Sequence, residues 1–309
     1  MTGTQVLAAL LALAATQAPA AGAPAALTAL WRDTPSDTTR VRIDSIPLVV
    51  EPSALLLREG AIYTVSDSFP KIYRIDFGPT GQAIRPEFWS PSGMPAVTDL
   101  EALTSLPGGE VLVAHETTGA IFVLRPFPTV ACAAWQTEIA GDCFVGRPNC
   151  GIEAMAALPD GRLFVAKERQ PRGAFLFDVP SEPCKGTTLT GRVYLKLPDE
   201  VGSDISDATY DAATGHLLLV ARSRQQVIEL SIPEIPPGST APVDLALVGT
   251  FSYAASENAL DYIGIDFHQV EGVAVDEERV LHLIVDNNSR KSRSFGDWRS
   301  ALLRFFPVD

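Results

Sequence analysis

Several things are scarce in this sequence, and each shortage excludes something. No segment of convincing length carries a helical period, so the chain reads as all-β. After the N-terminus no apolar run is long enough to span a membrane. Basic residues are outnumbered, with Lys+Arg 24 against Asp+Glu 37 and a formal net charge of −13. Such a surface repels nucleic acid and anionic membranes and favours cationic partners or bound metal. There is no Gly-x-Ser-x-Gly elbow and no phosphate-cradling glycine loop, and His115-Glu-Thr-Thr-Gly lacks the second histidine of the zinc-protease motif. The four cysteines include no C-x-x-C pair and have no histidine among them, which disfavours a zinc site and suits two disulfides in an oxidising compartment.

What is present begins with a short apolar run at residues 6 to 15. An Ala/Pro-rich tract follows, with Ala18-Pro19-Ala20 as a small-x-small cleavage site. Residues 1–22 are accordingly expected to be a signal peptide and 23–39 a linker, with 40–309 as one domain in the periplasm or outside the cell. No lipoprotein cysteine follows the run.

The chain is organised around a repeat. Asp99-Leu-Glu-Ala-Leu-Thr-Ser-Leu-Pro-Gly-Gly-Glu-Val-Leu-Val-Ala-His-Glu116 is rewritten as Gly151-Ile-Glu-Ala-Met-Ala-Ala-Leu-Pro-Asp-Gly-Arg-Leu-Phe-Val-Ala-Lys-Glu168, and looser copies start near Glu51, Asp204 and Gln269. Ser53, Glu101, Glu153, Ser206 and Glu271 fall at equivalent places, roughly 50 residues apart with a longer last step, a period that signals propeller blades. Each copy predicts a strand, a tight turn, a second strand, a returning third strand and a less regular fourth, with glycine in four of the five turns. The last copy stops after its third strand, and residues 40 to 46 alternate like the strand it lacks. The expectation is a five-bladed β-propeller of four-stranded blades closed by an N-terminal strand, with a degenerate sixth blade as the alternative.

In a propeller the first strand of each blade lines the axis. Glu101, Glu153 and Glu271 should then converge at one mouth, joined by Glu116, Glu168 and Asp67 from second-strand ends, with Ser206 and Ser223 from the fourth blade. Converging oxygen ligands without sulfur suit Ca²⁺. Without a cation, such crowding should raise the carboxyl pKa values. His115 and His268 fall at the same mouth as candidates for proton transfer, and His216 in a bottom turn. The blade register also pairs the cysteines, Cys143 with Cys150 near the mouth and Cys132 with Cys184 near the opposite face of adjacent blades.

The openings Asp99-Leu-Glu-Ala-Leu, Gly151-Ile-Glu-Ala-Met, Asp204-Ile-Ser-Asp-Ala and Val270-Glu-Gly-Val-Ala resemble those of the SdiA-regulated family of bacterial exported proteins. The resemblance covers residues 40 to 309 and implies a five-bladed, NHL-like propeller with a calcium site and no established activity. It makes Glu101, Glu153 and Glu271 the axial acids, with Glu116 and Glu168 beside them. The chain departs from that pattern at Ser206-Asp207 and in its cysteines. Phytase-like, or esterase-like, propellers are neighbours that share the strand openings and the Ile-Ser-Asp at 205 to 207. Two functions follow as expectations. One is a calcium-dependent binding or scaffold module, a monomer taking a small-molecule or protein ligand at the mouth. The other is a metal-dependent hydrolase of phosphoesters, esters or lactones, in which His115 or His268 moves the proton.

Overall fold

The computed structural model describes residues 51–76, 86–96, 98–137, 139, 151–168, 173–185, 188–236, 238–253, 269–286 and 300–307, together with the backbone of 41–45. The leader and linker expected at 1–22 and 23–39 lie outside these residues, as do Cys143, Cys150, His268 and the rest of 254–268 in the long step before Glu271.

Five antiparallel sheets make up the described chain. After β1 (Val41–Ser45), blade 1 contains β2 (Leu56–Arg58), β3 (Ala61–Val65), β4 (Ile72–Ile75) and β5 (Glu87–Trp89). Blade 2 contains β6 (Leu100–Ser105), β7 (Val111–His115), β8 (Ala120–Leu124) and β9 (Ala131–Gln136). Blade 3 contains β10 (Ile152–Ala157), β11 (Arg162–Lys167), β12 (Ala174–Asp178) and β13 (Thr190–Lys196). Blade 4 contains β14 (Ile205–Asp211), β15 (His216–Ala221), β16 (Gln226–Ser231) and, after β17 (Val243–Asp244), β18 (Ala246–Ser252). Blade 5 contains β19 (Val270–Val275), β20 (Leu281–Val285) and β21 (Ala301–Phe305), and β1 pairs with β21 as its outer strand.

The inner strands β2, β6, β10, β14 and β19 neighbour one another in a closed ring. This is the five-bladed propeller, sealed by the N-terminal strand; the six-bladed alternative is not realised. One blade departs from the four-stranded plan. On its way from β16 to β18 the chain crosses to blade 3, where β17 adds a fifth, parallel strand beside β13.

Strands such as β3 and β7 are buried along their whole length because both sheet faces meet a neighbouring blade. The core is therefore divided into five apolar clusters, one per seam. Phe164, Leu217 and Leu219 belong to the seam between blades 3 and 4, and Leu55, Ile284 and Leu302 to the one where blade 5 meets blade 1. Turn chemistry follows the sequence: Gly109, Gly161 and Gly215 take positive φ, and in the glycine-free fifth turn Arg279 does so at φ 68.

Cys132, on the outer strand of blade 2, is bonded to Cys184 in the turn after β12 of blade 3. Beside this bridge the fully buried Trp135 donates its indole N–H to the Pro183 carbonyl at 3.1 Å. The bridge closes a loop of 52 positions, which in the chain-entropy picture stabilises by about 2–4 kcal/mol. Cys132→Ser/Cys184→Ser should therefore lower the melting temperature by several degrees while far-UV dichroism stays unchanged. An identical melt would mean that the bridge adds nothing to the packing around Trp135.

Candidate functional site

One backbone irregularity recurs in every blade. The pairing of β6 with β7 runs Leu100↔His115 and then Ala102↔Ala114, so Glu101 is an extra residue, a bulge. The same slip falls at Glu153 in blade 3, at Ser206–Asp207 in blade 4 and at Glu271 in blade 5. In blade 1 it falls between the Pro52↔Ser66 bridge and the Leu56↔Tyr63 pair, at Ser53 to Leu55. A bulge bends its strand and re-aims a side chain. Here it sits at the places that the repeat made equivalent, and it is how three glutamates inside apolar strands reach the axis.

A second ring of residues stands one step beyond the inner strands. Backbone N–H groups of Glu116, Glu168, Arg222 and Asp286 donate to the carbonyls of Asp99, Gly151, Asp204 and Gln269 at 2.8–3.2 Å. Asp67 takes the corresponding place in blade 1, where its carbonyl accepts from Asp99 N–H at 2.5 Å. Four of these five positions carry a carboxylate and the fifth an arginine.

The acids draw together in two groups of three that share Glu116. Asp99, Glu101 and Glu116 form one and Glu116, Glu153 and Glu168 the other, and in each one carboxylate oxygen per residue lies within 4.8 Å of those of the other two. Gly151 makes this approach possible. Its N–H donates to Glu116 Oε1 at 3.2 Å, and a Cβ in its place would meet the Glu116 backbone at 2.0 Å and Cγ at 2.7 Å. Asp99 accepts from the backbone N–H and hydroxyl of Thr117, which fixes its carboxylate beside Glu116.

Glu271 turns to a different partner. Arg222 Nη1 donates to Glu271 Oε1 at 2.5 Å, while Nη2 donates to Glu168 Oε1 at 2.5 Å and Asp204 Oδ1 at 2.8 Å. One guanidinium thus ties blades 3, 4 and 5. The fourth blade's bulge residues also serve the frame. Ser206 donates to the Val270 carbonyl at 2.7 Å, and the fully buried Asp207 accepts from Val273 N–H at 2.8 Å and Leu55 N–H at 3.3 Å.

Protonation follows from this crowding. Burial, and then the charge of Glu271 and Glu116, hold Glu101 well above the usual carboxylate range. Burial and the charges of Glu101 and Glu168 do the same for Glu153. Burial and the neighbouring Asp99 push Glu116 up to about 7. Burial lifts Glu271 to about 8 against the downward pull of Arg222. The guanidinium of Arg222 in direct contact favours the ionised form of Glu271. The oxygen-only donor set, its shared centre and these raised values fit a hard cation that would replace the missing positive charge.

The described histidines stand apart from the carboxylate groups. His115 precedes Glu116, but alternation along β7 puts it on the side of Val111 and Val113, facing blade 1. Its Nδ1 accepts from Thr118 N–H at 3.3 Å, so a neutral ring carries its proton on Nε2. At the opposite face His216 pairs with Glu229 and His282 with Asp276, both at 2.8 Å.

Sequence reading anticipated Glu101, Glu116, Glu153, Glu168, Glu271 and Asp67 at this mouth, and the structure brings all six there. It missed Asp99, Asp204 and Arg222. The two aspartates carried a signal, since each opens a repeat. Arg222 was overlooked because Ser223 was counted into its place. The fourth hairpin is one residue longer than its counterparts in blades 2, 3 and 5, and the count to Ser223 overshoots by one more.

Residues 49–289 match the model of the phytase-like family, described as the esterase-like activity of phytase. On sequence this family stands second, after the SdiA-regulated one, and it is the phytase-like model that the chain matches. Among solved structures, the glutaminyl cyclase of Myxococcus xanthus is similar at 16% identity and TM-score 0.53, over 87% of this chain and 96% of that one. The likeness is one of fold. Virginiamycin B lyase from Staphylococcus aureus is similar at 10% identity and TM-score 0.41, over 86% of this chain and 100% of that one.

Proposed function

The chain belongs to the phytase-like family, and from that premise we propose that its propeller mouth is a calcium-dependent centre for hydrolysing esters or phosphoesters. The observation that carries this reading is the pair of carboxylate groups joined at Glu116. Glu101, Glu116, Glu153 and Glu168 would hold the cation, with Asp99 steadying Glu116 and with Asp67 and Glu271 at the border. A divalent cation in such a place supplies polarisation of an ester or phosphoryl oxygen and lowers the pKa of water. The chain's own share is to fix the oxygens on rigid strand ends and to exclude bulk water through burial. Of the two proton carriers expected from the sequence, His115 faces blade 1 away from the carboxylate groups, which leaves His268 as the side chain proposed to move protons.

A second reading, a cation-dependent binding module of the SdiA-regulated type, is favoured by one observation. Among the described residues no histidine joins the clustered acids. Export to the periplasm or beyond suits both readings, and the Cys132–Cys184 bridge is compatible with it.

The test is hydrolysis of p-nitrophenyl esters, p-nitrophenyl phosphate and lactones by the full chain, with chelator and with millimolar Ca²⁺. Turnover should require Ca²⁺ and fall at least 100-fold in Glu153→Gln. No turnover with a Ca²⁺-dependent rise in melting temperature would leave the binding module. No turnover and no rise would end both readings.

A further inference from the structure

Four blades place a carboxylate at the outer position of the mouth, and the fourth places Arg222 there. The substitution is not a neutral one, because the guanidinium lies among three carboxylates that arrive from three blades. Glu168 comes from the end of β11, Asp204 from the start of β14, and Glu271 from the bulge in β19. The guanidinium's two terminal nitrogens make a charge-assisted hydrogen bond to each of the three, so one fixed positive group already serves all three carboxylates. Glu168 belongs to both halves of the mouth. It stands within reach of Glu116 and Glu153 on one side and gives an oxygen to Arg222 on the other.

We infer that Arg222 is a built-in cation standing where a second divalent ion would otherwise bind, so that this mouth takes one Ca²⁺ and not two. The inference rests on the proposed cation centre and adds its stoichiometry and sidedness. The blade 2 and blade 3 half, at Glu101, Glu116 and Glu153, takes the exchangeable ion. The blade 4 and blade 5 half, at Asp204 and Glu271, is filled by the protein itself. Arginine suits the role because its charge is permanent and its fork of donors can serve three carboxylates at once. A hydrated lysine ammonium would satisfy them less completely. The consequence for chemistry is that the centre works with one metal, and two-metal clamping of attacking and leaving oxygens is closed to it.

Isothermal titration of the chelated full chain with Ca²⁺ measures the stoichiometry directly. The unaltered protein should bind one equivalent and Arg222→Ala two, the second more weakly, while Arg222→Lys should remain at one. Independently of whether Arg222→Ala folds, Glu153→Gln should weaken binding at least 100-fold and Glu271→Gln less than threefold. Two equivalents in the unaltered protein would overturn the inference and leave the cation centre standing. So would one equivalent in a folded Arg222→Ala, or equal losses in the two glutamate variants. No binding by the unaltered protein at millimolar Ca²⁺ would remove the centre itself, and the inference with it.

Discussion

Stripped of divalent cations, the protein should melt at a markedly lower temperature at pH 8 than at pH 5, and millimolar Ca²⁺ should restore most of the difference. The sign comes from the direction of the carboxyl shifts. Glu116 is raised to about 7, and Glu101 and Glu153 are raised as well, mainly by burial. A group whose folded pKa exceeds its unfolded value holds its proton longer in the folded state. Its stabilising contribution is complete below the ordinary carboxyl pKa of about 4.5 and is lost as pH rises through the folded value. For Glu116 the loss is on the order of 3 kcal/mol, and coupling among the acids prevents simple addition for the others. A cation that binds only the folded, ionised mouth opposes this by mass action. At 100 times its dissociation constant it contributes about 2.7 kcal/mol, worth roughly 5–10 °C for a domain of this size. Melting temperatures that coincide at pH 5 and pH 8 in chelator would contradict the proposed crowding. A Ca²⁺-insensitive melt at pH 8 would contradict the cation.

Arg222→Met should be the most damaging single change outside the hydrophobic seams. It leaves Glu168, Glu271 and Asp204 without their shared guanidinium in a buried mouth, and removal of one partner from a buried ionic group costs about 3–5 kcal/mol. The loss should be smaller at pH 5, where Glu271, already raised to about 8 by burial, holds its proton. Lys185→Ala provides the contrast. Its pair with Glu182 is solvated on both sides, and such pairs are worth 1 kcal/mol at most, roughly. Thermal melts of the two variants decide the matter. Equal, small effects would mean that the Arg222 pairs are as solvent-screened as surface ones.

Much of this architecture was legible because a propeller writes its plan five times. The spacing from Glu101 to Glu116 recurs from Glu153 to Glu168, and the turns between them mark the hairpins. Even the closing strand could be read, since a blade without its fourth strand and an alternating segment at 40 to 46 define each other. What could not be read was where each blade spends its polar residues. Arg222 lies in Arg222-Ser-Arg-Gln-Gln226, a run that looks like any solvated loop, and only the length of the fourth hairpin aims it inward. The bulges were equally hidden. Sequence marks Glu101 as an acid within an apolar strand, but the slip that turns it to the axis exists only in the pairing of two backbones. The crossing of β17 to blade 3 depends on contacts far apart in the chain, and two residues, Val243–Asp244, carry too little pattern to announce it.

The pairing of Val41–Ser45 with Ala301–Phe305 also sets a timetable. The first of these segments leaves the ribosome about 260 residues before its partner. At roughly 5–20 residues per second, the early strand waits between about a quarter of a minute and a minute with its edge unsatisfied. Blades 1 to 4 carry their four antiparallel strands within their own stretch of chain, β17 being a later addition to blade 3, and can form while the rest is being made. Blade 5 cannot, and until its last strand arrives the ring stays open along the seam where Leu55, Ile284 and Leu302 should meet. Closure of the ring therefore waits on two segments that lie about 260 residues apart in the chain.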